Sequence, residues 1–353
     1  MWFTSDNAAA AAPQVMAAMG AANGGPAASY GADPASARVT ARLREIFEAP
    51  EAAVYLVATG TAANALALAC LCPPWAAVYC HRRAHVAEDE CGAPEFFTGG
   101  AKLVPVEGEH GRMTPEALRA ALDDGPHTGV HNVQRGALSL TNATEAGTVY
   151  RPGEVAALAA VAHAEGMAVH MDGARFANAL ASLGCTPAAL SWKAGVDVLS
   201  LGGTKNGCLA VEAVVLFDPA RAWELELRRK RGGHLLSKHR FLAAQMEGYL
   251  AEDLWLRLAA RANARAAALG AGIAAVPGAR LLHPVEANAV FAEWPRDGHR
   301  ALRAAGAEYY LWPGNQSLEG SGEAAVAARL VASWATSEEE VADFLGVLAG
   351  AGA

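Results

Sequence analysis

Three short polar segments stand where predicted strands end, and their side chains are of types that can do chemistry. Thr59, Gly60 and Thr61 precede an apolar helix, residues 172–175 are Asp-Gly-Ala-Arg, and residues 204–207 are Thr-Lys-Asn-Gly. Ligands of open α/β sheets bind outside the carboxyl ends of the strands. Taken singly, each segment is explained as a helix cap, a turn or a solvated charge. Together they would place a helix N-terminus, a carboxylate, a guanidinium and an amine at one sheet edge.

This combination of groups suits pyridoxal phosphate. The cofactor needs a lysine amine for a Schiff base, an acidic partner for its pyridine nitrogen and a helix N-terminus for its phosphate. The carboxylate keeps the pyridine protonated, and the protonated ring accepts electrons from a carbanion at the substrate Cα. Among five lysines, only Lys205 follows a buried-looking strand and stands between glycines, so placement selects it. The other lysines are Lys102, Lys193, Lys230 and Lys238.

The elements that must hold these segments alternate between strand and helix. Helix start signals at Asp33-Pro34, Thr114-Pro115 and Arg151-Pro152 stand between apolar runs typical of buried strands. The alternation predicts an α/β fold with a mainly parallel, seven-stranded sheet and helices on both faces. The predicted strands are 53–58, 76–80, 103–107, 136–143, 166–172, 196–203 and 213–218.

Three regions are predicted along the chain. An N-terminal arm covers residues 1–15, a large cofactor-binding domain covers 16–250, and a small α+β domain covers 251–353. Nearly all of 219–269 has helical periodicity, which suits a long helix that leaves one domain for another. Beyond residue 270, short apolar segments alternate with helical ones, as in a compact α+β domain.

Composition excludes several classes of protein. The 353 residues are 53% hydrophobic and 18% charged, which rules out intrinsic disorder. The 28 basic and 36 acidic residues give a net charge of −8, so neither nucleic acid nor membrane is an expected partner. Residues 52–80 carry no charge and are long enough for a membrane span. Asn64 and Pro73-Pro74 interrupt this stretch, so a strand, a turn and a helix explain it better.

The cysteines and the N-terminus favour a cytoplasmic protein. Six cysteines are scattered without the spacing of a disulfide framework, and the first residues lack the basic start of a signal peptide. Cys80, His81, His85 and Cys91 could be imagined as zinc ligands. Their order lacks the paired Cys-x2-Cys spacing of zinc sites, so no metal site is predicted.

Several segments, in order along nearly the whole chain, resemble the L-threonine aldolases, which are pyridoxal-phosphate enzymes of fold type I in the aminotransferase superfamily. The specific part is His-Met-Asp-Gly-Ala-Arg at 170–175, followed by Lys205 33 residues after Asp172. The other matching segments are TSDN (4–7), YGADP (30–34), ATGTAAN (58–64), HVAEDE (85–90), GGTKNG (202–207) and ARLVASW (328–334).

The resemblance implies an activity and an assembly. The activity is the reversible retro-aldol cleavage of L-threonine, L-allo-threonine or L-phenylserine-like β-hydroxy-α-amino acids to glycine and an aldehyde. The assembly is a homodimer or homotetramer with active sites shared between subunits.

The resemblance also implies roles for the residues that match. Lys205 would hold pyridoxal 5'-phosphate, Asp172 would pair with its pyridine nitrogen, and Arg175 would lie near the ring hydroxyl and the substrate carboxylate. His85 would stack on the ring near the substrate hydroxyl, so the catalytic set is Lys205, His85 and Asp172. Further cofactor contacts are implied for Gly60, Thr61, Asn142 and Thr204. Further substrate contacts are implied for Ser5, Arg329 and, from the neighbouring subunit, Tyr30.

One segment departs from the commonest aldolase pattern. Many members have Glu-Asn-Thr-His-Asn-Gly after the fourth strand, whereas residues 141–147 here are Thr-Asn-Ala-Thr-Glu-Ala-Gly, so a second active-site histidine is missing. This change resembles a bacterial branch of low-specificity aldolases that includes enzymes acting on phenylserine. His85, or a water that it holds, is the first candidate for the base that takes the β-hydroxyl proton. Lys238 could reach the cofactor phosphate, although a surface charge is the commoner explanation.

Other functions remain open from the sequence. β-Elimination and transamination use the same cofactor, and a non-catalytic relative is disfavoured because Lys205, Asp172 and Arg175 are all present. Gly270 and Gly272 imitate part of a dinucleotide-binding fingerprint. They stand at the end of a predicted helix with no strand before it, which argues against a nucleotide-binding oxidoreductase.

Overall fold

The computed structural model describes residues 1–124 and 129–351 of the chain. Its framework is a seven-stranded sheet in which each strand coincides with a predicted one. The strands are β1 (Ala53–Val57), β2 (Ala76–His81), β3 (Lys102–Val106), β4 (Gln134–Thr141), β5 (Ala168–Gly173), β6 (Val198–Gly202) and β7 (Glu212–Leu216).

The sheet has the order β1-β7-β6-β5-β4-β2-β3 and is mainly parallel, as predicted. Only β7 runs against its two neighbours, β1 and β6. His170 joins three central strands, because its two ring nitrogens each lie 3.0 Å from a hydroxyl, of Ser139 on β4 and of Ser200 on β6. Burial lowers the pKa of His170 to about 4, so the ring is neutral and acts as a structural hydrogen-bonding group.

Helices begin at the predicted signals. Asp33 accepts the backbone N–H of Ser36 at 3.0 Å, and Thr114 accepts that of Ala117 at 3.2 Å. The helices are α1 (Pro13–Ala22), α2 (Pro34–Ile46), α3 (Gly60–Leu71), α4 (His85–Glu88), α5 (Ala93–Thr98), α6 (Pro115–Asp123), α7 (Pro152–Ala164), α8 (Phe176–Leu183), α9 (Pro187–Leu190), α10 (Ala222–Arg231), α11 (Arg240–Leu250), α12 (Leu254–Ala274), α13 (Arg296–Ala304) and α14 (Glu338–Ala351).

Each face of the large sheet has its own apolar core. On β2, Val78 and Cys80 pack with α3, whereas Ala77 and Tyr79 belong to the core that contains α7. This alternation follows from the two-residue period of a strand. Helices therefore cover both faces of the sheet. Helix α3 is buried along most of its length, which explains why residues 52–80 carry no charge. In the part of the chain that the structure describes, no helix is long and apolar enough to span a bilayer.

A second, antiparallel sheet follows the long helix α12. Its strands have the order β10-β11-β9-β8, with β8 (Arg280–Leu281), β9 (Ala289–Pro295), β10 (Tyr310–Leu311) and β11 (Ala325–Val331).

The start of the predicted N-terminal arm packs into the core of this second sheet. Phe3 is fully buried, and its ring lies 5.4 Å from that of Phe344. The Phe3 N–H donates to Glu308, and the Phe3 carbonyl accepts from Val331. These bonds fix the next few residues, 4–8, between the small sheet and the large one.

Candidate active site

The three polar segments meet at one edge of the large sheet, as predicted. Asp172 pairs in register with Ser200 of the adjacent parallel strand β6, which leads directly to Lys205. Strand β7 lies between β1 and β6 and is antiparallel to each of them, so β1 runs parallel to β5 and β6. The carboxyl end of β1, and hence residues 59–61, therefore lies on this edge.

The N-terminus of α3 is prepared for an anion. The Thr59 hydroxyl caps the helix by accepting the Ala62 N–H at 3.1 Å, and the first turn contains no acidic residue. A Cβ placed on Gly60 would have no protein atom within 4 Å, so there is open space beside the helix end. Helix N-termini with exposed N–H groups bind phosphate well.

Asp172 is buried and held by two hydrogen bonds. Asn64 of α3 donates to one carboxylate oxygen at 2.8 Å, and the Ala174 N–H donates to the other at 2.9 Å. The same Asn64 amide nitrogen donates to Glu90 at 2.8 Å. Asp172 thus keeps a fixed orientation, with lone pairs left for a protonated ring nitrogen.

Lys205 opens into a cavity of about 450 Å³ that Ser5, His85, Glu145, Arg175 and Arg329 also line. Burial lowers the pKa of the Lys205 amine, and the Arg175 guanidinium lowers it further, against the opposing effect of nearby carboxylates. A lowered pKa raises the fraction of neutral, nucleophilic amine near pH 7.

Glu212 lies behind the lysine segment at the start of β7. Its carboxylate accepts the Gly203 N–H at 2.7 Å, and burial raises its pKa to about 7. In the sequence, the signal that could have identified Glu212 is a charged residue at the first position of a buried strand.

His85 forms a close pair with Glu90. The His85 Nδ1 lies 2.8 Å from Glu90 Oε1, whose side chain is completely buried. This hydrogen bond raises the pKa of His85 although burial lowers it. The bond leaves Nε2 as the ring nitrogen available to a ligand. Sequence reasoning missed Glu90 as a partner, although it lies in the quoted segment 85–90.

Arg175 is held by Asp6, which the sequence analysis did not single out. Its Nε and Nη2 donate to the two carboxylate oxygens at 2.7 and 2.9 Å, and Asn288 also donates to Asp6 at 3.0 Å. Burial alone would lower the pKa of Arg175, but the Asp6 charge and hydrogen bonds raise it. The N–H groups of Nη1 and the second N–H of Nη2 remain for a cofactor or a substrate.

Arg329 is placed differently, on β11 of the small sheet. Its one hydrogen bond within the described residues is a long one, 3.4 Å from Nη1 to the Thr4 carbonyl. Burial lowers its pKa to about 10, and the charge of Arg175 adds to this effect. The guanidinium is thus a buried cation suited to a carboxylate ligand. Ser5, on the same cavity, accepts the Asn7 N–H at 3.2 Å.

Two predicted cofactor residues use their side chains elsewhere. Asn142 is fully buried and exchanges two hydrogen bonds with the backbone of Tyr150, at 3.0 and 3.1 Å. The Thr204 hydroxyl accepts the Val211 N–H at 3.2 Å. Both therefore brace the loops that carry the site, and their contacts with a cofactor stay predictions.

Two other predicted residues are absent from the lining of this cavity. Tyr30 is about half exposed, and its ring lies 4.8 Å from the Lys230 ammonium. A role for Tyr30 in the site of a neighbouring subunit stays a prediction. Lys238 is exposed in the turn before α11, so the reading as a surface charge agrees with its position.

An aromatic wall that the sequence did not reveal closes the cavity on the small-sheet side. The rings of His110, His283, Phe291 and Trp312 follow one another at 5.2, 5.3 and 5.9 Å. The two histidine Nδ1 atoms are 3.0 Å apart. These residues come from loops and strands far apart in sequence, and no short motif identifies them.

The zinc reading of Cys80, His81, His85 and Cys91 receives no support. Cys80 is buried in the sheet, Cys91 is exposed, and His81 Nε2 lies 3.1 Å from the Gly108 carbonyl. Within the described ranges, the group of possible ligand atoms found together is that of His85, Glu90 and Asp172, whose hydrogen bonds are described above.

Comparison with known proteins agrees with this geometry. Residues 3–295 match the model of the beta-eliminating lyase family. A low specificity L-threonine aldolase of Pseudomonas aeruginosa is 46% identical over 340 residues, which cover 96% of this chain and 94% of that protein. The chain belongs to the low-specificity L-threonine aldolase family. A second such aldolase, from Pseudomonas sp., is 44% identical over the same shares of both chains.

Solved structures of this aldolase family and of its fold agree. A threonine aldolase of Leishmania major superposes with a TM-score of 0.92 at 28% identity and covers 100% of this chain and 99% of that one. A serine palmitoyltransferase of Sphingomonas wittichii, 16% identical, has a TM-score of 0.69 over 100% of this chain and 87% of that one. This second likeness concerns the fold alone and agrees with the fold type I prediction.

The glycines that imitate a dinucleotide fingerprint have a packing role. Gly270 and Gly272 lie inside α12, where a Cβ on Gly270 would come within 2.9 Å of Val285 and one on Gly272 would overlap Leu345 of α14. The small residues allow α12 to approach these neighbours closely, so helix packing accounts for both glycines.

Proposed function

We propose that this chain catalyses the reversible retro-aldol cleavage of L-threonine, L-allo-threonine or L-phenylserine-like β-hydroxy-α-amino acids to glycine and an aldehyde, with bound pyridoxal 5'-phosphate. Membership of the aldolase family supports the reaction class. The observation that carries the proposal is one cavity that contains the Lys205 amine and the Arg329 guanidinium beside His85. An amine for the cofactor and a cation for an amino acid carboxylate are the two groups that such a reaction needs first.

The residues present fit this cofactor. Lys205 offers a buried amine of lowered pKa, Asp172 offers a buried carboxylate, and α3 offers N–H groups at Gly60 and Thr61 beside open space. When bound, pyridoxal phosphate supplies an electron sink for the electron pair left on the substrate Cα. Asn64 keeps Asp172 in place, so the carboxylate orientation does not depend on the cofactor.

The substrate is oriented through its carboxylate. Arg329 offers a planar, bidentate donor, and Ser5 lies on the same cavity. With the cofactor bound, the Cα bond perpendicular to its ring would be the one weakened, so the residues that hold the carboxylate would decide which bond breaks. This contribution is one of positioning rather than of acid strength.

His85 contributes a polarised ring. Glu90 accepts from Nδ1, so Nε2 is the nitrogen that a substrate hydroxyl can reach. Because the Glu90 hydrogen bond raises its pKa, His85 holds its proton to a higher pH than an ordinary histidine. A protonated ring donates a hydrogen bond to the substrate oxygen and orients it.

A second candidate function is β-elimination, which the name of the matching family model favours. Purified protein with pyridoxal phosphate and L-threonine or L-phenylserine distinguishes the two reactions by their products. Glycine and an aldehyde in equal amounts are expected for the aldol reaction. Ammonia and a 2-oxo acid in place of the aldehyde would contradict it and favour elimination.

The proposal includes self-association as a homodimer or homotetramer with shared active sites, in the cytoplasm. Phe96, Trp223 and Leu227 are 79%, 68% and 52% exposed, and large exposed apolar side chains are typical of interfaces. The six free cysteines suit a reducing compartment.

Subunit exchange tests the sharing of sites. Tyr30→Ala and Lys205→Ala variants are each expected to be inactive alone, and mixing them should restore part of the activity if Tyr30 serves a neighbouring site. Mixtures that stay inactive although mixed oligomers form would contradict shared sites, and a monomer in light scattering would contradict assembly.

A further inference from the structure

Glu145 is a cavity-lining carboxylate with no assigned role. It stands in the loop after β4, in the run 141–147 that lacks the expected histidine, and lines the same cavity as Lys205, His85 and Arg329. Its Oε1 accepts the His85 backbone N–H at 2.7 Å. Its Oε2 is buried and has no hydrogen-bond partner in the described residues. Leaving a buried acceptor unpaired destabilises the folded protein, so such an atom calls for an explanation by function.

The loop around Glu145 is fixed rather than loose. The Thr144 and Thr148 hydroxyls lie 2.8 Å apart, and the Val149 N–H donates to Glu286 at 2.9 Å. Gly147 has a φ of +78°, and a Cβ there would come within 2.8 Å of the Ala289 carbonyl on β9. The small sheet therefore holds this loop closely against the cavity, and the unpaired oxygen of Glu145 keeps its place.

The electrostatic surroundings suit proton exchange at neutral pH. Burial raises the pKa of Glu145 to about 7, and the Asp172 charge on β5 raises it further. The His85 N–H and the nearby Thr141 hydroxyl, which makes no hydrogen bond to Oε2, oppose this effect. The other groups that sense its charge are the Arg175 guanidinium, the Cys80 thiol on β2 and the Tyr150 phenol. A general base works best when its pKa lies near the operating pH.

His85 is suited to act as a hydrogen-bond donor. Its Nδ1 is occupied by Glu90, and that carboxylate stabilises the protonated ring. In its protonated form the ring can donate to the substrate oxygen but cannot take a proton from it. These features suit the His85 ring as a hydrogen-bond donor to the substrate oxygen and the Glu145 carboxylate as the acceptor of the substrate proton.

We infer that Glu145 is a catalytic residue that exchanges the proton of the substrate β-hydroxyl, an inference that rests on the proposed function. In cleavage, the O–H bond breaks and its proton moves to the Glu145 carboxylate. The O–H electron pair forms the second C=O bond of the aldehyde, while the Cα–Cβ bond breaks and leaves its electron pair on Cα. In synthesis, the Glu145 carboxylic acid returns the proton to the new alkoxide.

The test is the isosteric variant Glu145→Gln, whose amide oxygen can still accept the His85 N–H. For L-threonine cleavage, kcat should fall by about 10²–10⁴-fold with KM little changed, the usual worth of a positioned base. The acidic limb of the pH profile, which reports deprotonation of the base, should disappear. Exchange of the glycine Cα proton in D2O involves no β-oxygen, and it should be retained.

A titration of the apoprotein supplies a readout that needs no cofactor. Infrared spectra of the wild type should show protonated-carboxyl absorption that is lost as the pH rises through about 7, and part of it should be missing from Glu145→Gln. Glu212→Gln and Glu90→Gln identify the parts that belong to the other carboxyls with a raised pKa. Glu286→Gln, which weakens the anchor of the loop but leaves Glu145, should keep the acidic limb.

The outcomes separate the inference from the proposed function. Glu145→Gln that cleaves threonine as the wild type does, or that loses cleavage and glycine exchange together, would overturn the catalytic role. An apoprotein spectrum without the Glu145 component near pH 7 would also overturn it. A wild type that binds the cofactor yet releases no aldehyde would overturn the proposed function, and the inference with it.

Discussion

The two sides of the cavity differ in how firmly their polar groups are held. On the large-sheet side, Asp172, Asn64, Glu90 and His85 form a continuous chain of hydrogen bonds, each of 2.8 Å. On the small-sheet side, Arg329 makes a single 3.4 Å hydrogen bond among the described residues and has a pKa lowered to about 10. The groups proposed to bind the cofactor are thus fixed by hydrogen bonds within the protein. The Arg329 guanidinium, which is proposed to bind the substrate, still has donors available for a ligand. Substitutions on the two sides should therefore fail in different ways.

The largest effect is expected for Lys205→Ala on the large-sheet side. Without the amine no covalent link to pyridoxal phosphate can form, so turnover should fall to background and the visible absorbance of the covalently bound cofactor should vanish. Lys193→Ala is the matched control, because Lys193 pairs with Glu48 at the surface. Visible spectra and aldehyde release measure both variants, and undiminished absorbance in Lys205→Ala would refute the assignment.

On the small-sheet side, Arg329→Lys should weaken substrate binding but spare the cofactor. The loss of one charge-assisted hydrogen bond is worth about 1.5–3 kcal/mol, so KM for L-threonine should rise about 10- to 150-fold. Arg280→Lys, on the same sheet but exposed and paired with Glu293, serves as the control. Steady-state kinetics and cofactor titration test this prediction. Loss of cofactor binding with an unchanged KM for L-threonine would contradict the roles assigned to the two sides.

A smaller effect is expected for Glu90→Gln, which breaks the hydrogen-bond chain on the large-sheet side. A glutamine cannot stabilise the imidazolium, so the His85 pKa, raised in the wild type, should fall. The incompletely paired network should also cost about 1–3 kcal/mol of stability. NMR titration of the His85 ring in the apoprotein measures the pKa, and an unchanged midpoint would show that Glu90 does not govern it.

Gly272→Ala, in α12 behind the small sheet, should lower the stability of the protein through packing alone. The added Cβ overlaps Leu345, so the side chain must move, and overpacking typically costs about 1–3 kcal/mol. Gly346→Ala on the neighbouring helix α14 has open space and should be neutral or stabilising. Thermal unfolding of both variants provides the comparison, and an equal or higher Tm for Gly272→Ala would contradict the close packing.

Much of the fold could be predicted because the buried strands carry local signals. The runs that became β2 and β5 are apolar and bounded by polar turns, and caps such as Asp33 and Thr114 announce their helices. The burial of Phe3 in the C-terminal core gave no such signal, since it depends on contacts with residues some 300 positions away. The two-residue strand at Tyr310 was also too short to be recognised.

The residues of the site also divide into those that local sequence signals predict and those that only tertiary packing brings together. Asp172 and Lys205 follow strands, so their meeting at one edge could be deduced from the sheet. Asp6, which takes two donors of Arg175, and the aromatic wall around Phe291 come from separate segments that only tertiary packing unites. Buried partners of this kind have no spacing rule, because their geometry is set by the packing of two sheets.

The most direct test of the account is borohydride reduction of the purified protein after addition of pyridoxal phosphate. The account predicts a yellow protein that bleaches on reduction and carries the label, by peptide mass spectrometry, on Lys205. The label should be absent when Lys205→Ala is treated in the same way. A label on another lysine, or a wild type that takes up no cofactor, would contradict the central claim that Lys205 and Asp172 form a pyridoxal-phosphate site at the edge of the large sheet.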